Sequence, residues 1–181
     1  ISKAALENET FRYVACKPNY YIAPTNKDKH GKELWNHHKM VKRTMFNYDG
    51  VEGGKTGYTT KAGGTLVTFA KRGDQELIVV DLCAHGYELY EDTIKMLNYG
   101  FNNYKTIAPF KTMNTVLKDD TYGFLKTGNE LSPYKIPLKH LNDVTVMLEK
   151  KQSASKLTYK CKDNKYIISY DGKQIGSVKL H

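Results

Sequence analysis

Cysteine is scarce in this chain. Cys16, Cys83 and Cys161 are the three thiols among 181 residues, and no pair has CxxC spacing. That pattern argues against a zinc site or a disulfide scaffold, and the odd count leaves at least one thiol unpaired. Arginine is also rare, with only Arg12, Arg43 and Arg72 among 28 basic residues, and Trp35 is the single tryptophan. Long apolar runs are missing: the longest, Leu77-Ile78-Val79-Val80, is strand-sized, whereas a membrane-spanning helix needs about 18 apolar residues. There is no internal repeat and no low-complexity tract. The chain opens Ile1-Ser2-Lys3-Ala4-Ala5, with neither an initiator Met nor a signal peptide, so a processed form or a fragment is expected.

The chain does carry enough apolar side chains for a core: 40% of residues are hydrophobic and 12% aromatic. Disorder, collagen and coiled coil are therefore excluded. The net charge is +9 and the pI about 9.3, which suits an anionic envelope polymer, a membrane surface or a nucleic acid. No RNP-like aromatic motif, zinc finger or basic helix accompanies the charge, so nucleic acid is not an expected partner. The charge is uneven. Residues 1–106 carry 15 basic and 12 acidic side chains, and residues 107–181 carry 13 and 7.

Residues 1–16 read as one amphipathic helix, with Ile1, Ala5, Phe11 and Val14 on one side. Residues 17–49 lose periodicity and read as a long loop with short strands. From Gly53 to Thr60 the chain looks extended. After a break at Ala62-Gly63-Gly64, Thr65–Lys71 and Glu76–Cys83 form a hairpin across Arg72-Gly73-Asp74. The second of these strands is almost entirely apolar, which predicts cover on both faces. Tyr90, Ile94, Leu97 and Phe101 then recur at helical spacing, with Gly100 marking the end. Beyond Pro109 the helical period disappears. Thr115-Val116-Leu117, Val144–Leu148 and Tyr166–Tyr170 are β-type runs separated by polar turns, and Asp171-Gly172 is a type I′ hairpin signal. The expected class is α+β: an antiparallel sheet with packed helices over residues 1–106, followed by a small all-β domain over 107–181.

Chemistry concentrates at Lys55-Thr56-Gly57, within Asp49–Val67 (DGVEGGKTGYTTKAGGTLV). A bare KTG means little, and a second copy, Lys126-Thr127-Gly128, reads as a turn. The first copy lies on a strand that precedes a hairpin. There Lys55 supplies a cation and Thr56 a hydroxyl donor, while Gly57 lets a substrate approach the backbone. The N–H of Tyr58 is placed to face a developing oxyanion.

This block, with Leu34-Trp35-Asn36 and the helix end Leu97-Asn98-Tyr99-Gly100-Phe101, resembles the serine-type D-alanyl-D-alanine carboxypeptidases, the low-molecular-mass penicillin-binding proteins. The resemblance covers most of residues 1–106 and extends more loosely to 107–181. It implies a β-lactamase/transpeptidase-like fold and an acyl transfer. A serine attacks the D-Ala-D-Ala bond of a peptidoglycan pentapeptide, D-alanine leaves, and water hydrolyses the acyl-enzyme. Carried across, Lys55 and Thr56 engage the terminal carboxylate, Gly57 gives steric room and Tyr58 gives an oxyanion N–H. β-Lactams are the implied covalent inhibitors. An extracytoplasmic location near the wall or a membrane surface is implied too, and no cofactor or metal is.

The sequence departs from this pattern in one decisive respect. The family needs S-x-x-K and S-x-N ahead of KTG, yet the only serine before Lys55 is Ser2, followed by Ala5 in place of lysine, and no Ser-x-Asn occurs. Ser153-Ala154-Ser155-Lys156 matches as text but lies in the β-rich part and reads as a surface turn. The expectation is a C-terminal portion completed by an N-terminal half that carries the nucleophile. The competing expectation is a non-catalytic envelope-binding module; a class A β-lactamase is disfavoured by the appended β domain. Where some relatives place an arginine, this sequence reads Glu88-Leu89-Tyr90. His30, His37 and His38 read as solvated, Asp119-Asp120 as a turn and Lys150-Lys151 as solvated charges.

Overall fold

The computed structural model describes residues 1–42, 44–111, 115–117, 122–127, 130–131, 136–137, 144–163 and 165–179. The chain divides into two units, Ile1–Asn102 and Asn103–His181.

The first unit opens with α1 (Ser2–Leu6) and α2 (Glu9–Ala15). The single helix expected over 1–16 is thus broken. Asn8 adopts an extended backbone, and its side chain accepts a hydrogen bond from the N–H of Phe11 at 2.9 Å, capping a new helix. A hairpin follows, β1 (Asn19–Ile22) with β2 (Lys32–Trp35), in antiparallel register. Then come three antiparallel strands in spatial order: β3 (Val51–Thr59), β4 (Gly63–Arg72) and β5 (Gln75–Ala84). The turn before β4 falls two residues early, so Gly63 and Gly64 belong to the strand. The unit ends in α3 (Glu88–Asn103).

Strand alternation gives this sheet two different faces. Leu66, Thr68 and Ala70 of β4 are buried, with Val79 of β5, beneath Leu89, Tyr90, Leu97 and Phe101 of α3 and beside Met40. Gly100 does not end the helix. A Cβ there would lie 2.6 Å from Leu77 Cδ1, so the glycine lets α3 settle on β5. On the other face, Phe11 of α2 meets Phe69 with ring centroids 6.4 Å apart. Beyond that contact the cover stops. Ile78, Val80 and Leu82 are 37%, 49% and 67% exposed, so the expectation that β5 is covered on both faces fails: among the described residues α3, with Met40, Phe46 and Tyr48, covers one face only.

The second unit pairs β6 (Tyr104–Ile107) with β11 (Val146–Glu149). In it β8 (Tyr122–Thr127) pairs with β7 (Thr115–Leu117), β9 (Glu130–Leu131) and β10 (Ile136–Pro137). A three-stranded meander follows: β12 (Leu157–Lys162), β13 (Lys165–Tyr170) and β14 (Lys173–Lys179). Asp171 and Gly172 both take positive φ, 50° and 81°, as a type I′ turn requires. Phe110, Val146, Tyr166 and Ile168 form the core. Lys126 and Thr127 are strand residues paired with Leu131 and Glu130, so the second copy's lysine is not in a turn; Gly128 lies outside the described residues, as does Asp119-Asp120. Ser153 caps a short 3-10 turn, Ala154–Lys156. Lys151 pairs with Glu149 at 2.8 Å on the surface.

Candidate active site

The glycines before Lys55 fix how its strand is held. A Cβ on Gly53 would sit 2.6 Å from Cys16 Sγ and 3.0 Å from the Ala15 carbonyl, so this position lets the end of α2 lie against β3. A Cβ on Gly54 would sit 2.1 Å from the Val67 carbonyl and 2.6 Å from the His38 ring. His38 therefore presses on the other side of the strand, one residue from Lys55. It is fully buried, against the expectation of a solvated histidine, and its Nε2 lies 2.9 Å from Thr68 Oγ1. Tyr90 meets its ring edge-on at 5.8 Å. Burial depresses its pKa to about 4, with the main chain of Val67 opposing in part. His38 is thus neutral at pH 7.

Asn36 ties the same region together. Its side-chain amide donates to the carbonyls of Ala15 at 3.2 Å and Lys17 at 3.0 Å, and its Oδ1 accepts from the His38 N–H at 2.9 Å. Burial pushes the Cys16 thiol up, making it a packing group rather than a nucleophile.

In register, Lys55 stands opposite Val67 and Val67 opposite Val80, so Lys55 emerges from the sheet face that α3 leaves uncovered. It is exposed, and its ammonium donates to the carbonyl of Thr56. It makes no ion pair among the described residues. Glu52 and Glu76, the carboxylates on this side, are both engaged by Arg12. Lys55 and Thr56 line a cavity of about 470 Å³ with Phe11, Val14, Trp35 and Asn36. Thr56 also borders a cavity of about 420 Å³ that Gly57 and Tyr58 share with His85 and Tyr87. The structure thus brings Lys55, Thr56, Gly57 and Tyr58 to one edge strand, since among the described residues β3 pairs only with β4. An unneutralised cation beside a cleft suits an anionic group. Gly57 has a packing role as well, because a Cβ there would lie 2.5 Å from Thr65 Oγ1.

Sequence reasoning missed His38 and Asn36 as groups that set this strand. The signal available was the Gly53-Gly54 pair, whose lack of side chains implies close neighbours on both faces. Among the described residues no cluster of His, Cys, Asp or Glu is arranged to hold a metal.

No family model matches the chain. It is 29% identical over 154 residues to the D-alanyl-D-alanine carboxypeptidase DacF of Bacillus subtilis, covering 82% of this chain and 37% of that protein. Over 77 residues it is 35% identical to the D-alanyl-D-alanine carboxypeptidase DacC of Escherichia coli, covering 42% of this chain and 18% of the relative. Over most of its length the chain is thus similar to part of a D-alanyl-D-alanine carboxypeptidase. It spans little more than a third of the DacF relative it matches. Penicillin-binding protein 5 of Haemophilus influenzae shares its fold, with a TM-score of 0.61 over 99% of this chain and 52% of that one at 21% identity. The α+β reading, with a partial transpeptidase-like sheet, agrees with this fold. No helix among the described residues is long and apolar enough to cross a membrane.

Proposed function

We propose that this chain forms the Lys55-Thr56-Gly57 wall of a serine-type D-alanyl-D-alanine carboxypeptidase, and that residues 1–106 are part of the catalytic domain and 107–181 an accessory β domain. Lys55 and Thr56 bind the terminal carboxylate of a peptidoglycan pentapeptide. The N–H of Tyr58 stabilises the oxyanion formed when a serine attacks the D-Ala-D-Ala carbonyl. D-Alanine leaves, and water releases the shortened peptide from the serine ester. The nucleophile and its lysine base come from a segment outside these 181 residues, as no S-x-x-K precedes Lys55. A β-lactam, bearing a carboxylate and a strained amide, acylates the same serine. The site works outside the cytoplasm, where its substrate is.

The observation that carries this reading is Lys55 itself, a lysine on β3 that makes no ion pair among the described residues and lines a cleft together with Thr56, its ammonium donating to the Thr56 carbonyl. The test is covalent labelling by a fluorescent penicillin of the complete protein, including whatever is encoded ahead of Ile1. Labelling at a serine of an in-frame S-x-x-K is the expected result, and a start codon directly before Ile1 with no labelling refutes it. The second reading, a non-catalytic wall-binding module, is favoured by the missing serine motifs and by the 13 basic against 7 acidic residues of 107–181. Retention of the unlabelled chain on anionic wall polymer supports that reading.

A further inference from the structure

The last three strands set lysines in a line. Register puts Lys162 of β12 opposite Lys165 of β13, and Lys165 opposite Lys179 of β14. Residues directly opposite in adjacent strands have Cβ atoms about 5 Å apart on one face of the sheet. This face is the outer one, because Tyr166 and Ile168, the alternate residues of β13, are buried in the core. Lys160 joins the same face two residues before Lys162, opposite Ile167. All four lysines are exposed, and none forms an ion pair among the described residues. Between Leu157 and Lys179 the only carboxylates are Asp163, in the turn after β12, and Asp171, which pairs with Lys156 at 3.3 Å. Like charges directly opposite each other destabilise a sheet. A row of three ammoniums therefore carries a cost that one turn carboxylate does not offset.

We infer that the outer face of the β12–β13–β14 sheet binds an anionic phospholipid surface. Charge sets the sign of the partner, and four ammoniums on one sheet face are met together only by an array of anions. The remaining side chains of the face select the kind of array. Tyr159 and Tyr166 turn inward onto Phe110, so these lysines are not interleaved with the rings on which the bases of a nucleic-acid strand stack. An aliphatic group takes that place: Ile167 lies across the strands between Lys160 and Ser177. Lysine stems lie along such apolar surface while their ammoniums reach outward. A bilayer presents phosphates and, beneath them, apolar chains to match both.

The test is cosedimentation of the 181-residue chain with vesicles of phosphatidylglycerol mixed with phosphatidylcholine. Binding to these vesicles, and not to phosphatidylcholine alone, is expected at low salt. It should vanish near 1 M salt, where charges are screened within about 3 Å. One lysine near an anionic membrane is worth roughly fivefold in partitioning. Lys162→Gln combined with Lys165→Gln should thus weaken binding about 25-fold, and Lys179→Gln alone about fivefold. Lys27→Gln combined with Lys29→Gln removes the same charge from the exposed loop between β1 and β2, and should change binding less than about twofold. Without lipid, the Lys162/Lys165 double variant should melt at a higher temperature than the wild type, because facing like charges are gone. That melting curve also shows that the variant folds. The inference is overturned if phosphatidylglycerol adds nothing to binding, if the sheet variant binds like the wild type, or if the loop variant loses as much. It is overturned too if the sheet variant melts no higher than the wild type, or if the chain binds long-chain polyphosphate but no vesicle. Vesicle binding by a chain whose complete form takes no penicillin supports this face and overturns the carboxypeptidase reading alone.

Discussion

Acidification should loosen the strand that carries Lys55, and His38 sets the size of the effect. Its folded pKa is about 4 against an ordinary value of 6.5. The unfolded chain therefore takes up a proton, between those values, that the folded chain refuses. Stability is full above pH 6.5 and is lost as the pH falls toward 4. Linkage gives a loss of about 2 kcal/mol at pH 5 and about 3 kcal/mol at pH 4. Because the ring contacts Gly54 and Thr68 on adjacent strands, the loss falls on the pairing of β3 with β4. Urea unfolding followed by far-UV circular dichroism at pH 7.5, 6 and 5 measures it. Carboxylates also titrate below pH 5, so the comparison is with His38→Asn, which keeps a polar group for Thr68. Between pH 7.5 and 5 the wild type should lose about 2 kcal/mol more than the variant, a difference in midpoint shift of about 1 M urea. Parallel pH dependences in the two proteins would refute the assignment of a buried, neutral His38.

Three further changes test the surrounding packing. Gly54→Ala places a methyl group against the Val67 carbonyl and the His38 ring, and should lower stability by about 3 kcal/mol or more in thermal unfolding. Asn36→Ala removes two donors to the end of α2 and the acceptor for His38 N–H; a loss of about 1–3 kcal/mol is expected, with earlier amide exchange in α2. Gly172→Ala puts a side chain at φ 81° in the last hairpin and should cost about 1–2 kcal/mol, read as a lower melting temperature.

Much of the fold was legible because glycines and turn residues punctuate it. Asp171-Gly172 demanded positive φ at two consecutive positions, and the hairpin through Arg72-Gly73-Asp74 followed from two β-rich runs on either side of a glycine. Burial was harder to read. The Leu77–Val80 run signals apolar demand but not which neighbours meet it, and in this structure α3 meets half of it. Gly100 looked like a helix stop because glycine is a poor helix former, but its missing side chain admits Leu77. Asn8 looked like one more helical residue until its side chain was seen capping a second helix. The Lys55-Thr56 strand could be found from its motif and context. His38 could not, because a histidine in a stretch without periodicity gives no sign of the strand pair that encloses it.

The claim on which the rest depends is that Lys55, and not its textual twin Lys126, meets the substrate carboxylate. The most direct measurement is the rate of penicillin acylation of the complete protein with Lys55→Ala or Lys126→Ala. Loss of the cation at the carboxylate should cost about 2–4 kcal/mol, so Lys55→Ala should acylate roughly 30- to 1000-fold more slowly while Lys126→Ala stays near the wild-type rate. Equal rates for the two variants would contradict the account.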